Sequence, residues 1–210
     1  MNAKKTVQNI RWLGYAGFFI NEKPCIYINP YNLAFPDIGD LILITDDDPH
    51  HCSPDTVKWL RKGSTIIIAP ENCVELFTGG AVLTAKPGET QDAKGARIDV
   101  LPAFVDEKSK QAGKTTGVGY IITYPNGFSV CHLGRSGIAP LEPIENLDVL
   151  LMPIRGQVSN NVKQAAEIVN RINPGIVIPM QWGDETITPE ELAQFTELSS
   201  PDVVTLKLKR

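Results

Sequence analysis

Six consecutive residues carry most of the chemistry legible in this chain: Asp46-Asp47-Asp48-Pro49-His50-His51. Carboxylates and imidazoles at such close spacing are the donor types that hold zinc, manganese or iron. Three carboxylates gathered in a partly dry loop repel one another, so the cluster needs a cation beside it, either a bound metal ion or a basic side chain. The same letters also spell an ordinary solvated turn at the end of a strand. Other catalytic devices are missing from the sequence: there is no serine nucleophile elbow, no glycine-rich phosphate loop and no cysteine–histidine pair.

The elements that must position this loop are readable on either side of it. Leu41-Ile42-Leu43-Ile44-Thr45 is a short apolar run, predicted to be a buried strand. Ser53-Pro54-Asp55 then supplies an N-cap and a proline suited to the first helical position. The cluster therefore sits on a strand-to-helix connection. Upstream, Ile10 to Leu13, Gly17 to Ile20 and Cys25 to Ile28 predict an antiparallel meander. Thr65 to Ala69 predicts the next buried strand, and a short apolar stretch from Val74 to Phe77 ends at Gly79-Gly80. In the second half, Gly119 to Tyr124 and Phe128 to Cys131 flank Pro125-Asn126-Gly127, an Asn-Gly hairpin signal. Val149 to Met152 predicts a strand, and Val162, Ala165, Ala166, Val169 and Ile172 recur at helical spacing until Asn173-Pro174-Gly175. Ile176 to Pro179 reads as a strand, Thr188-Pro189-Glu190-Glu191 as a capping box, and Val203 to Leu208 as a closing, alternating strand. Two similar halves, each a sheet with helices on one face, predict an α/β four-layer αββα sandwich with mixed, largely antiparallel sheets. No linker or low-complexity tract divides residues 1–210, which predicts a single domain.

Composition narrows the function classes. At 42% hydrophobic and 21% charged residues, with no apolar run approaching the roughly 18 residues of a membrane span, the chain is not expected to enter a membrane. The N-terminus lacks the apolar stretch of a secretory signal, which makes the cytosol the expected compartment. Cys25, Cys52, Cys73 and Cys131 form no C-x-x-C pair and are expected to be reduced, mostly buried thiols. With a net charge of -4 and scattered lysines and arginines, nucleic acid is not an expected partner.

Four blocks together resemble the metallo-β-lactamase superfamily, in the branch of ascorbate-6-phosphate lactonase and related metal-dependent hydrolases. Ile10 to Phe18 is similar to the opening strand pair, and Leu43 to His51 to that branch's strand and H-x-H-P-D-H loop. Cys131 to Gly137 resembles the strand ending in H-x-G-D-T-G, and Val177 to Gly183 the I-P-M-H-Y-G segment. The blocks occur in family order across nearly the whole chain. The resemblance implies a hydrolytic fold with two zincs bridged by a water.

Compared residue by residue, the same resemblance implies that most ligands have been exchanged. Asp46 and Asp48 stand where the loop's first two histidines would be, and His50 and His51 where it offers aspartate then histidine. Val105 stands at the third histidine, Gln181 at the last, and Arg135 at the bridging aspartate. Tyr15 and Asn29 replace an accessory histidine and aspartate. A guanidinium has no lone pair for a metal. It can instead pair with Asp46 or Asp48 and fill the volume of the lost zincs, so that no metal cofactor is required. The expectation is a degenerate metal site: a pocket lined by Asp46, Asp48, His50, His51, Arg135 and Gln181 that binds a small polar or anionic molecule, on a protein whose surface can mediate self-association. The alternative is a mononuclear hydrolase of a lactone, phosphoester or similar ester, with Asp46, Asp48, His50 and His51 holding one divalent ion such as zinc or manganese. Against it, Asp46 and Asp48 share a side of the loop with the missing Val105 partner, while His50 and His51 share a side with Gln181. His132 reads as a satisfied core histidine.

Overall fold

The structure is a computed structural model, and it describes residues 7–34, 37–104, 112, 115, 117–135, 144–154, 161–180 and 188–208. Strands β1 (Ile10–Gly14), β2 (Gly17–Ile20), β3 (Ile26–Ile28), β4 (Leu41–Leu43), β5 (Ile66–Ala69) and β6 (Ala81–Thr84) lie side by side in chain order in one sheet. The second sheet runs, also in sequence, through β7 (Thr90–Ala93), β8 (Ala96–Ala103), β9 (Gly117–Thr123), β10 (Ser129–His132), β11 (Val149–Pro153), β12 (Ile176–Met180) and β13 (Asp202–Val203). Each sheet begins antiparallel and ends parallel, the change falling at β3 in the first and β10 in the second. The parallel connections need crossovers, and they carry the helices α1 (Pro54–Leu60), α2 (Glu71–Val74), α3 (Val162–Ile172) and α4 (Pro189–Leu198).

Side-chain alternation on the central strands accounts for four layers. Leu41 and Leu43 join the core between the sheets while Ile42 and Ile44 join a second core with Val57 and Leu60 of α1. Likewise Val149 and Leu151 face the inter-sheet core, and Leu150 and Met152 face Ala165, Val169 and Ile172 of α3. A strand buried on both faces reads as an unbroken apolar run, which is why these strands stand out in the sequence. α3 starts with a reciprocal Asn161/Gln164 cap and stops at Asn173 in the left-handed conformation; α4 starts with the Thr188/Glu191 capping box.

The structure departs from the sequence reading in several places; β4, for one, ends at Leu43 rather than Thr45. The strands β6, β7 and β8 are additional. The apolar stretch from Val74 to Phe77 begins on the last residue of α2, which spans Glu71–Val74, and runs beyond it. The final strand pairs only over Asp202–Val203, followed by an isolated bridge from Leu208 to Trp12. Val204 and Leu206 are half-buried against the core between the sheets, because this segment crosses from the edge of one sheet to the edge of the other. No helix among the described residues is long and apolar enough to cross a membrane.

Candidate active site

The candidate site lies where β4 and β10 end, on opposite sheets. Tyr120 of β9 is fully buried and joins the sheets there: its hydroxyl donates to the Ile44 carbonyl at 2.6 Å and lies 3.3 Å from that of Ile68. Close backbone approach does the rest. Val118 donates its N–H to the Thr45 carbonyl at 2.7 Å, and a Cβ on the neighbouring Gly117 would stand 2.6 Å from that same oxygen. Gly134, at a φ of 62°, turns the chain after β10 so closely under Val118 that a Cβ would meet its carbonyl at 2.4 Å. Arg135 is thereby delivered beside the aspartate loop.

Asp46 is the buried centre, with a side chain 2% exposed. Its Oδ2 accepts from Thr45 Oγ1 at 2.8 Å, its Oδ1 accepts from the Asp48 N–H at 3.1 Å, and the His51 Nδ1–H lies 2.9 and 2.8 Å from the two oxygens. Thr45 is held in turn by Asn29: the Asn29 amide donates to Thr45 Oγ1 at 2.8 Å and its Oδ1 accepts the Thr45 N–H at 2.9 Å. Burial drives the Asp46 carboxyl upward, yet the hydrogen bond and charge of His51, with Thr45 and the Asp48 N–H, bring it below the usual carboxylate range.

Asp48 builds a second, more open pair. Its Oδ1 accepts from the His50 backbone N–H at 2.9 Å and from His50 Nδ1 at 3.1 Å, and its Oδ2 accepts from Arg135 Nη1 at 3.1 Å. The same Arg135 nitrogen is 3.8 Å from Asp46 Oδ1. Here too burial raises the carboxyl, and the bonds from His50 with the charges of His51 and Arg135 outweigh it and lower it. The His50 ring packs against Tyr15 and Tyr31, with centroids 4.4 and 4.9 Å away. Tyr15 and Asn29 both hold left-handed backbone, at φ of 48° and 46°, a strained conformation for residues other than glycine.

Each predicted residue can now be placed. Asp46, Asp48, His50, His51 and Arg135 form one cluster; Val105 and Gln181 lie outside the described residues. The expected division, aspartates on one side and histidines on the other, does not hold. Asp46 pairs with His51 and Asp48 with His50, because the turn that sends the N–H groups of His51 and Cys52 back to the Asp48 carbonyl folds the loop across itself. Asp47 is exposed and plays no part in the cluster. His132 is fully buried, donating from Nε2 to the Ala16 carbonyl at 2.9 Å and accepting the Gly134 N–H on Nδ1 at 3.0 Å. Burial depresses its pKa to about 4, and with both nitrogens satisfied it is a core residue. Thr45 and Tyr31 are members the sequence reading passed over.

The fold and motif order agree with what is known of other proteins. The β-lactamase superfamily domain profile matches residues 9–181. The chain belongs to this superfamily. Within it, a UPF0173 metal-dependent hydrolase of Nitratidesulfovibrio vulgaris is 33% identical over 209 residues, covering 90% of this chain and 85% of that one. A candidate metal-dependent hydrolase from Parabacteroides distasonis is 25% identical with a TM-score of 0.79, covering 95% of this chain and 93% of that one. A metallo hydrolase of Ignicoccus hospitalis shares the fold at 19% identity, with a TM-score of 0.74 over 96% of this chain and 95% of that one. The chain is thus a member of the UPF0173 metal-dependent hydrolase family, which raises the question of whether its site suits metals.

Among the described residues, the positive charge beside the two loop carboxylates comes from a side chain. The Arg135 guanidinium lies within 3.1 and 3.8 Å of the two carboxylates that would have to face the ions. Asp46 already accepts from Thr45, His51 and the Asp48 N–H. Among the described residues, no group of three His, Cys, Asp or Glu side chains is arranged to hold an ion.

Proposed function

We propose that this chain is a binding member of its hydrolase family, in which a protein-borne cation takes over the charge-balancing role of metal ions. One observation carries the reading: Arg135 stands against both Asp46 and Asp48. At about 4 Å and an effective dielectric near 20, a unit charge pair is worth about 4 kcal/mol, which offsets much of the repulsion between the two carboxylates. Arg135, Asp48 and His50 are each partly open, with side chains 28, 28 and 42% exposed. A guanidinium steadied by one carboxylate, beside a half-exposed imidazole, recognises a small polar or anionic molecule. The motif resemblance to ascorbate-6-phosphate lactonase directs the search toward compact, oxygen-rich anions.

The test is metal analysis of untagged protein purified without chelator, together with a hydrolysis screen of lactones, phosphodiesters and thioesters. The expected result is substoichiometric metal and no turnover above background. A stoichiometric transition metal, lost in His51→Ala and accompanied by turnover at enzyme-like rates, overturns the proposal in favour of a mononuclear hydrolase.

A further inference from the structure

The parallel strands β5 and β6 begin side by side, with Ile66 opposite Ala81, so the segments leading into them run together at that end of the sheet. One comes from the C-terminus of α1 at Arg61; the other is the stretch from Glu75 to Gly80 that follows α2. Between α1 and that stretch lies a groove of about 530 Å³, a size common among small-molecule sites. It shares no lining residue with the candidate site, which follows the C-terminal end of β4.

The charges in the groove are uneven. Asp55, Lys58, Arg61 and Lys62 line it from α1 and the residues just past its end. Lys62 is paired with Asp40 at 2.9 Å, whereas Lys58 forms no ion pair among the described residues. Arg61 Nη1 donates to the Thr78 carbonyl at 3.0 Å and Nη2 donates to the Gly79 carbonyl, bonds to neutral groups that fix the guanidinium and leave its charge unbalanced. Gly79 and Gly80, at φ of 72° and 74°, make the turn that presents these carbonyls, and a side chain at Gly80 would collide with Arg61 Nη2. Two unbalanced cations against the single carboxylate of Asp55 leave a positive groove on a chain whose net charge is -4. The lining also has an apolar part: Val57 and Phe77 come from the core under α1, and Leu76 is 49% exposed.

We propose that this groove is a second ligand site, which takes a small molecule bearing one oxyanion on a compact apolar body. Lys58 and Arg61 meet the oxyanion, and Leu76 and Phe77 cover the body. Pinned at two nitrogens, Arg61 loses little freedom when the anion arrives, which favours binding. The apolar lining separates such a ligand from inorganic phosphate, and the cations separate it from a neutral ring compound. A carboxylate and a phosphate ester both satisfy this chemistry.

The experiment titrates phenyl phosphate, benzoate, inorganic phosphate and phenol separately into the isotope-labelled full chain and follows its backbone amide signals. The expected result is saturable shifts of the Gly79 and Gly80 amides with phenyl phosphate or benzoate, the tighter of the two naming the oxyanion. Inorganic phosphate and phenol should bind there about tenfold more weakly or worse. Lys58→Glu should weaken the groove response about tenfold by reversing a charge, and should leave the melting temperature unchanged because Lys58 is exposed and outside any ion pair among the described residues. Arg135→Met should leave the groove response intact. Shifts confined to the Asp46 to His51 loop, no saturable shift at Gly79 and Gly80, an equal response to phenol, or a response undiminished in Lys58→Glu overturns the proposal.

Discussion

The loop after β4 contains two carboxylate–imidazole pairs that differ mainly in burial. Asp46 and His51 are sealed, with side chains 2 and 5% exposed, and their bonds run inward through Thr45 to Asn29. Asp48 and His50, at 28 and 42%, face outward and share their open side with Arg135. A sealed pair cannot exchange a partner for water when it is disturbed, whereas an open pair can. The comparison therefore separates stability from recognition within six residues.

The largest effect is expected from Asp46→Ala. It leaves the His51 Nδ1–H, the Thr45 hydroxyl and the Asp48 N–H without their acceptor in a dry setting, and brings Arg135 one carboxylate short. Breaking a buried pair in this way costs about 3–5 kcal/mol. Urea unfolding measures it; a loss under about 1 kcal/mol would show that the inner pair is not sealed.

Acid should act on the sealed groups next. His132 has a folded pKa near 4 against an ordinary 6.5. As pH falls below 6.5 the unfolded chain takes up a proton that the folded chain refuses, so stability drops until about pH 4, by about 3 kcal/mol in total. Asp46 adds a separate loss at lower pH: its folded pKa lies below 3.8, so its contribution is present above that value and disappears as pH falls through the folded pKa. Unfolding free energies at stepped pH should decline between 6.5 and 4 in the wild type and in Asp48→Asn alike. A steep dependence abolished by Asp48→Asn would transfer the acid sensitivity to the open pair.

What the sequence could and could not say about this arrangement follows from the kind of signal each part emits. Leu41 to Ile44 and Val149 to Met152 announce themselves because both their faces are buried. β6 and β7 do not: each is only four residues long, β6 has no fully buried residue, and β7 is polar except for the buried Ala93, a pattern shared by loops. The loop's residue types were readable and its crossed pairing was not, since the direction of His50 and His51 is set by backbone bonds to the Asp48 carbonyl rather than by spacing. Thr45, read as the last residue of a strand, lies beyond its end at Leu43, where its hydroxyl is free to bond Asp46. A polar residue closing an apolar run just before the aspartates was the available signal.

Asp48→Ala tests the open pair itself. It removes an acceptor from His50 and Arg135, but both side chains are already partly hydrated, so the expected cost is about 0–1 kcal/mol by urea unfolding. A loss comparable with that of Asp46→Ala would erase the distinction between the pairs.

Arg135→Met sharpens the same distinction from the cation's side and is the smallest change expected in stability. Asp48 loses a partner at 3.1 Å but keeps the His50 N–H, His50 Nδ1 and access to water, while Asp46, 3.8 Å away, keeps all three of its shorter bonds. Methionine preserves most of the side-chain stem, so unfolding should shift by no more than about 0.5 kcal/mol. Recognition should behave oppositely. A charge-assisted contact to an anion is worth roughly 1.5–3 kcal/mol, so affinity for an oxyanion probe measured by calorimetry should fall about tenfold or more. Unchanged affinity with unchanged stability would leave Arg135 without a part in binding and remove the observation on which the proposed function stands.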